Sequence, residues 1–199
     1  MKISPLDISM DWKNEKLTDF DFSECTYFKL WHHSSKTFDF TTLPDIPKLK
    51  KLTVIFSNVK NLNGLEKFPK LEAVDLTYLR NLESLDGIEK MSRKIKFFSI
   101  ESAKKLTDVT PVTQLENIEG LGLINIGDIS DLEFLHDMYE IKSLSFAGTK
   151  IISGDLTPIV NHFNIQHAGF DNKRHYSHKN EEINLLLLEK NLRQNKINE

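Results

Sequence analysis

The sequence predicts an α/β solenoid, a curved stack of coils with short parallel strands on the concave face and 3₁₀ turns, short helices and loops on the convex face. Three observations predict it. An apolar template recurs at near-equal intervals, the segments between its copies are apolar at steps of three, and the two patterns meet inside single units. Residues 71–94 show one such unit. Val74 and Leu76 alternate as in a strand, then Leu79, Leu82, Leu85 and Ile88 step by three through Asp86-Gly87. A strand, a turn and a tight return make one coil.

The template L-x-x-L-x-L places Cys25/Phe28/Leu30, Leu49/Leu52/Val54, Leu71/Val74/Leu76 and Ile95/Phe98/Ile100 in register. Ile118/Leu121/Leu123, Ile141/Leu144/Phe146 and a weaker Ile165/Ala168/Phe170 follow. The starts, at Cys25, Leu49, Leu71, Ile95, Ile118, Ile141 and Ile165, are almost evenly spaced. They mark about seven repeats over residues 25–170 of a single 199-residue domain. The returns carry Leu62/Leu65/Phe68, Leu82/Leu85/Ile88, Leu106/Val109/Val112/Leu115 and Ile129/Leu132/Leu135. That spacing suits 3₁₀ pieces. Gly64, Gly87, Pro69 and Pro111 punctuate them where the chain changes direction.

The ends differ. Residues 1–24 match the template poorly, with Leu17, Phe20 and Phe22 set among Asp7, Asp11, Asp19, Asp21 and Glu24, and are expected to form an N-terminal cap. Residues 171–199 are expected to form a C-terminal cap. Their polar segment DNKRHYSHK leads to a helix capped by Ser177 or Asn180, with Glu181 and Glu182 in its first turn and Lys190 and Arg193 near its end. Ile183, Leu186 and Leu187 give that helix an apolar face, which Leu185, Leu188 and Leu192 are expected to widen. Such caps cover the core edges that a stack of repeats leaves open.

Composition narrows the function classes. With 26 basic and 29 acidic side chains there is no overall nucleic-acid signature. The first sixteen residues hold no apolar run of signal-peptide length, and the leucines at 185–188 fall far short of the ~20 residues that span a bilayer. The single cysteine, Cys25, excludes an intramolecular disulfide and lies at a core position, so a reduced, cytoplasmic setting is expected.

Chemistry-bearing motifs are scarce. His175 and His178, with His167 upstream and Asp171, Glu181 and Glu182 nearby, lack any paired metal motif and read as a hydrogen-bonded linker. A metal-dependent enzyme built on these histidines is the least favoured reading. His32 and His33 are adjacent rather than metal-spaced. There is no nucleophile elbow, phosphate loop or dinucleotide fingerprint; Gly120 and Gly122 are small residues beside Leu121 and Leu123. No catalytic residue, metal or cofactor is expected, and the chain is not expected to be an enzyme.

Strand side chains alternate between faces, so residues between the buried ones line the concave sheet. This face carries Tyr27, Lys29 and Trp31, then Lys51, Thr53 and Ile55, then Ala73, Asp75 and Thr77, then Phe97, Ser99 and Glu101. Beyond it come Gly120, Gly122, Ile124, Ser143, Ser145, Ala147, His167, Gly169 and Asp171. Aromatics beside charges have the composition of a protein-binding hot spot. The expected partner-binding residues are Tyr27, Lys29, Trp31, Lys51, Ile55, Asp75, Thr77, Phe97 and Glu101.

On these repeats the chain resembles leucine-rich-repeat proteins of the bacterial and phosphatase-regulator type. It departs from them three residues after the last template leucine, where Asn or Cys is common: Ser57, Leu79, Ala103, Ile126 and Thr149 stand there. The repeats followed by an HYSHK-type segment further resemble immunity proteins of bacterial toxin-immunity systems, including contact-dependent growth inhibition. That resemblance implies a cytoplasmic inhibitor, monomeric when free, whose concave face occludes a cognate toxin domain such as a nuclease. It implies no direct contact with nucleic acid or membrane. The alternative is a protein-interaction scaffold or phosphatase regulator.

Overall fold

A computed structural model describes residues 6–197. Eight strands run in sequence order through one parallel sheet: β1 (Asp7–Asp11), β2 (Tyr27–His33), β3 (Lys51–Ser57), β4 (Ala73–Thr77), β5 (Phe97–Glu101), β6 (Gly120–Ile124), β7 (Ser143–Ser145) and β8 (His167–Gly169). The register joins equivalent template positions, as in Phe28↔Leu52↔Val74↔Phe98↔Leu121↔Leu144↔Ala168. Each coil therefore lays its leucines directly on those of the next. A single coil has no partner for its apolar face, and stacking supplies one; each aliphatic side chain so covered contributes roughly 1.5–3 kcal/mol.

The returns are 3₁₀ turns at Leu65–Lys67, Ile88–Met91, Thr110–Gln114 and Glu133–Asp137, then a short helix α1 (Thr157–Asn161). Their inward residues, among them Leu62, Leu65, Phe68, Leu82, Leu85 and Ile88, are buried against the strand leucines. Gly64 and Gly87 open two of these turns at φ of 97° and 100°. A Cβ on Gly64 would collide with the Thr41 backbone, and one on Gly87 would lie 2.7 Å from the Asn63 backbone nitrogen. Only glycine accepts both the dihedral and the close approach of the preceding coil.

The ends depart from expectation in two ways. The expected N-terminal cap, residues 1–24, includes a strand: β1 pairs along its whole length with β2 and buries Ile8 and Met10, so the sheet has eight strands where the template marked seven. Residues 1–5 of that segment and 198–199 at the other end lie outside the described part. The terminal helix α2 (Asn180–Ile197) begins at Asn180, whose Nδ2 donates to the Ala168 carbonyl (3.0 Å). Ser177 instead accepts from the Leu156 N–H (3.0 Å). Among the described side chains of α2 only Ile183 and Leu187 are buried, while Leu185, Leu186, Leu188 and Leu192 are exposed. The expected wide apolar face is thus a narrow i, i+4 seam, because α2 meets the stack along one line through β8 and α1. No helix among the described residues is long and apolar enough to cross a membrane.

The column where related repeats often carry Asn is filled by other means. The Ile126 N–H donates to Thr149 Oγ1 (3.0 Å), and that hydroxyl donates to the Leu123 carbonyl (2.7 Å). The Gly127 N–H donates to the Leu106 carbonyl (2.9 Å), and Lys104 Nζ donates to the Ile126 carbonyl (3.2 Å). At the first rungs His33 Nδ1 and Ser57 Oγ lie 2.9 Å apart. Buried backbone groups require such partners, and these side chains supply them one rung at a time.

Candidate functional site

The sheet brings the nine expected partner-binding residues onto one surface, spread over β2 to β5. Across it the register aligns Tyr27↔Lys51↔Ala73↔Phe97 and Trp31↔Ile55↔Thr77↔Glu101. Cations lie over the rings at the first strands: Lys29 Nζ is 4.8 Å from the Trp31 ring centroid and Lys51 Nζ 5.3 Å from that of Tyr27. These contacts hold the lysine heads close to the sheet. Tyr27 and Trp31 are half-buried beside β1, whereas Phe97 is 52% exposed.

The middle row differs from its expected character. Thr53 stands between Lys29 and Asp75 and is only 6% exposed, with no hydrogen-bond partner for Oγ1 among the described residues. Longer neighbours on both sides cover it. Asp75 and Glu101 form no ion pair with a described side chain.

From β5 onward the face hollows out. A concavity of about 530 Å³ runs from Lys51 and Asp75 past Phe97 to His167, floored by Gly120, Gly122, Ser143 and Ser145. The missing side chains are structural. A Cβ on Gly120 would stand 2.9 Å from Phe97 Cδ1, and one on Gly122 would stand 2.6 Å from Ser99 Oγ. Gly120 therefore lets the Phe97 ring lean across the sheet, and the ring forms one wall of the hollow.

The C-terminal histidines do not converge. His175 Nε2 lies 3.0 Å from the Ile151 carbonyl and His178 Nδ1 lies 2.8 Å from Ser177 Oγ, while His167 stands on the concave sheet. No group of three or more His, Cys, Asp or Glu side chains suited to a metal occurs among the described residues. Cys25 is buried, its Sγ 3.3 Å from the Tyr27 carbonyl, and burial raises its pKa.

One set of surface residues escaped the sequence reading. The residue two positions after the last template apolar adopts a left-handed backbone in six successive coils: His32 (φ 54°), Phe56 (62°), Tyr78 (59°), Ser102 (60°), Asn125 (50°) and Gly148 (71°). Asn and Gly suit that conformation; for a bulky side chain it costs roughly 1–2 kcal/mol. The first three rungs are nevertheless aromatic, and their rings form a parallel stack. His32 and Phe56 centroids lie 5.3 Å apart at 4°, and Phe56 and Tyr78 lie 4.7 Å apart at 9°. Stacking returns about 0.5–1.5 kcal/mol per pair, which offsets part of the strain. The signal was present one column before the Asn position.

A solved structure shares this architecture. An internalin (inlF) of Listeria monocytogenes aligns with a TM-score of 0.58 at 20% identity, covering 74% of this chain and 41% of that one. An internalin C2 (inlC2) of the same organism aligns at 0.49 and 18% identity over 74% of this chain and 72% of its own. The chain is a leucine-rich-repeat solenoid. It spans less than half the length of the inlF chain it matches. No protein-family model matches this solenoid, and no curated protein sequence does.

Proposed function

We propose that this solenoid is a protein-binding inhibitor that holds one partner against its concave face. The observation that carries the reading is the β2–β5 surface, where Tyr27, Trp31, Ile55 and an exposed Phe97 stand beside Asp75 and Glu101, two carboxylates without an ion-pair partner among the described residues. Aromatic anchors with charged neighbours are the composition of a binding hot spot. The hollow beyond Phe97 admits a protruding partner element close to the sheet backbone.

The finer reading is a cytoplasmic immunity protein that blocks a cognate bacterial toxin domain, with a nuclease as the expected class. Asp75 and Glu101 then meet the basic residues that a nuclease presents to its substrate. Inhibition is steric, and no catalytic group is needed on this chain. Lys29, Lys51 and Thr77 complete the proposed surface. Co-expression tests this reading. The C-terminal domain encoded by the reading frame immediately upstream is expected to be toxic alone and harmless beside this chain, with protection lost in Trp31→Ala/Phe97→Ala. Toxicity unrelieved by the wild-type chain would refute it.

A further inference from the structure

The stacked row His32–Phe56–Tyr78 lies beside the concave face and belongs to none of the residues assigned above. Phe56 carries a ring on each of its faces, so the 37% of it that remains exposed is mostly ring edge. Tyr78, the last ring of the row, is 40% exposed. The aromatic quadrupole makes faces negative and edges positive. A row of parallel rings seen edge-on therefore presents positive potential, and its preferred neighbours are anionic oxygens.

The surroundings have the same sign. The row forms the wall of a hollow of about 380 Å³ whose charged lining residues are Lys13 and Arg80, with the Asn81 amide beside them. No carboxylate lines it among the described residues. The chain's own Asp11 carboxylate pairs with the first ring at its nitrogen, Oδ1 lying 3.2 Å from His32 Nδ1, while Phe56 and Tyr78 stay open to a partner. Bulky residues held in a left-handed backbone at three successive rungs are not explained by the core, because the same position is filled by Ser102, Asn125 and Gly148 in the later coils.

We infer that the hollow beside His32, Phe56 and Tyr78 is a second docking surface, which takes a carboxylate-rich segment of a protein partner. Its carboxylates sit between Lys13 and Arg80 and against the ring edges, while its backbone meets the amide of Asn81. The overall formal charge of -3 disfavours a polyanion as extended as nucleic acid, and the local cations suit a short acidic stretch. This surface and the Trp31–Phe97 face stand or fall separately, since the peptide measurement needs neither the partner nor the concave aromatics.

The test is fluorescence anisotropy with a labelled peptide of six glutamates at low salt, run against a six-lysine peptide and an oligothymidylate of equal charge. The glutamate peptide is expected to bind saturably. Arg80→Glu and Lys13→Glu are each expected to weaken it about tenfold, and Lys150→Glu, the same charge change on a later coil, to leave it within about twofold. Phe56→Asn and Tyr78→Asn remove the rings while accepting the left-handed backbone, so they fold and are expected to lose about tenfold as well. Absence of saturable binding, or equal losses from Lys150→Glu and Arg80→Glu, would overturn the proposal. Tighter binding of the oligothymidylate than of the glutamate peptide would overturn it in favour of a nucleic-acid surface.

Discussion

His33 makes stability depend on pH in a window set by its burial. The side chain is 2% exposed, lies edge-on to Trp12 at 4.8 Å and stacks on Phe40 at 5.6 Å. Nδ1 meets Ser57 Oγ, and Nε2 has no hydrogen-bond partner among the described residues. Burial disfavours the imidazolium and lowers the pKa from 6.5 to about 4, against a small opposing pull from Asp39. The unfolded chain protonates this residue near 6.5 and the folded chain only near 4, so between these values the unfolded state binds more protons. Stability is then full above pH 6.5 and falls as the pH drops toward 4. Each pKa unit is worth about 1.4 kcal/mol, so between pH 7 and pH 4.5 the loss is about 2 kcal/mol. Burial lowers the His162 pKa too and adds a fall in the same direction. Urea unfolding of the wild type and of His33→Asn at both pH values isolates the term, because Asn keeps a polar partner for Ser57 and does not titrate. The wild type is expected to lose about 2 kcal/mol more than the variant over this interval. Equal losses would show that His33 is not held neutral by its surroundings.

Three further outcomes follow from the geometry. Gly87→Ala forces a Cβ to 2.7 Å from the Asn63 backbone at φ 100° and is expected to cost about 2–3 kcal/mol, read as a lower midpoint in urea. Tyr78→Asn is expected to change stability by no more than about 1 kcal/mol, because relief of the left-handed strain offsets the lost stacking on Phe56; a drop of about 3 kcal/mol would mean that the ring is a core element. Glu101→Lys is expected to slow partner association most at low salt, and a salt-independent, unchanged rate in stopped-flow would remove the ionic part of the concave interface.

What the sequence disclosed was the core. Burial at Phe28, Leu52, Val74, Phe98, Leu121 and Leu144 repeats at one register position, and a near-constant period with alternation inside it leaves one way to stack them. The strand β1 was hidden because Ile8 and Met10 alternate without the leading leucine that opens the other units, and Pro5 stands where that residue would be. The helix α2 misled in the opposite sense: its leucines cover much of its circumference, and only docking against β8 selects Ile183 and Leu187. On the concave face, alternation correctly put Trp31, Asp75 and Phe97 on one side. It did not show that Thr53 would be covered by longer neighbours, nor that Gly120 would let Phe97 lean. The ring row was missed for a different reason. Alternation breaks where the backbone turns left-handed, and His32, Phe56 and Tyr78 share a direction through that change, which alternation alone does not encode.

The central claim is that a protein partner is anchored on the concave aromatics, and titration calorimetry measures it most directly. The upstream-encoded C-terminal domain, titrated into wild type and into Phe97→Ala, is expected to bind tightly to the first and about 2 kcal/mol or more weakly, roughly thirtyfold, to the second, with the variant's melting temperature unchanged. Phe97 is half exposed and contributes little to the fold, so a loss of affinity reports the interface itself. Equal affinity for the two proteins would contradict the account.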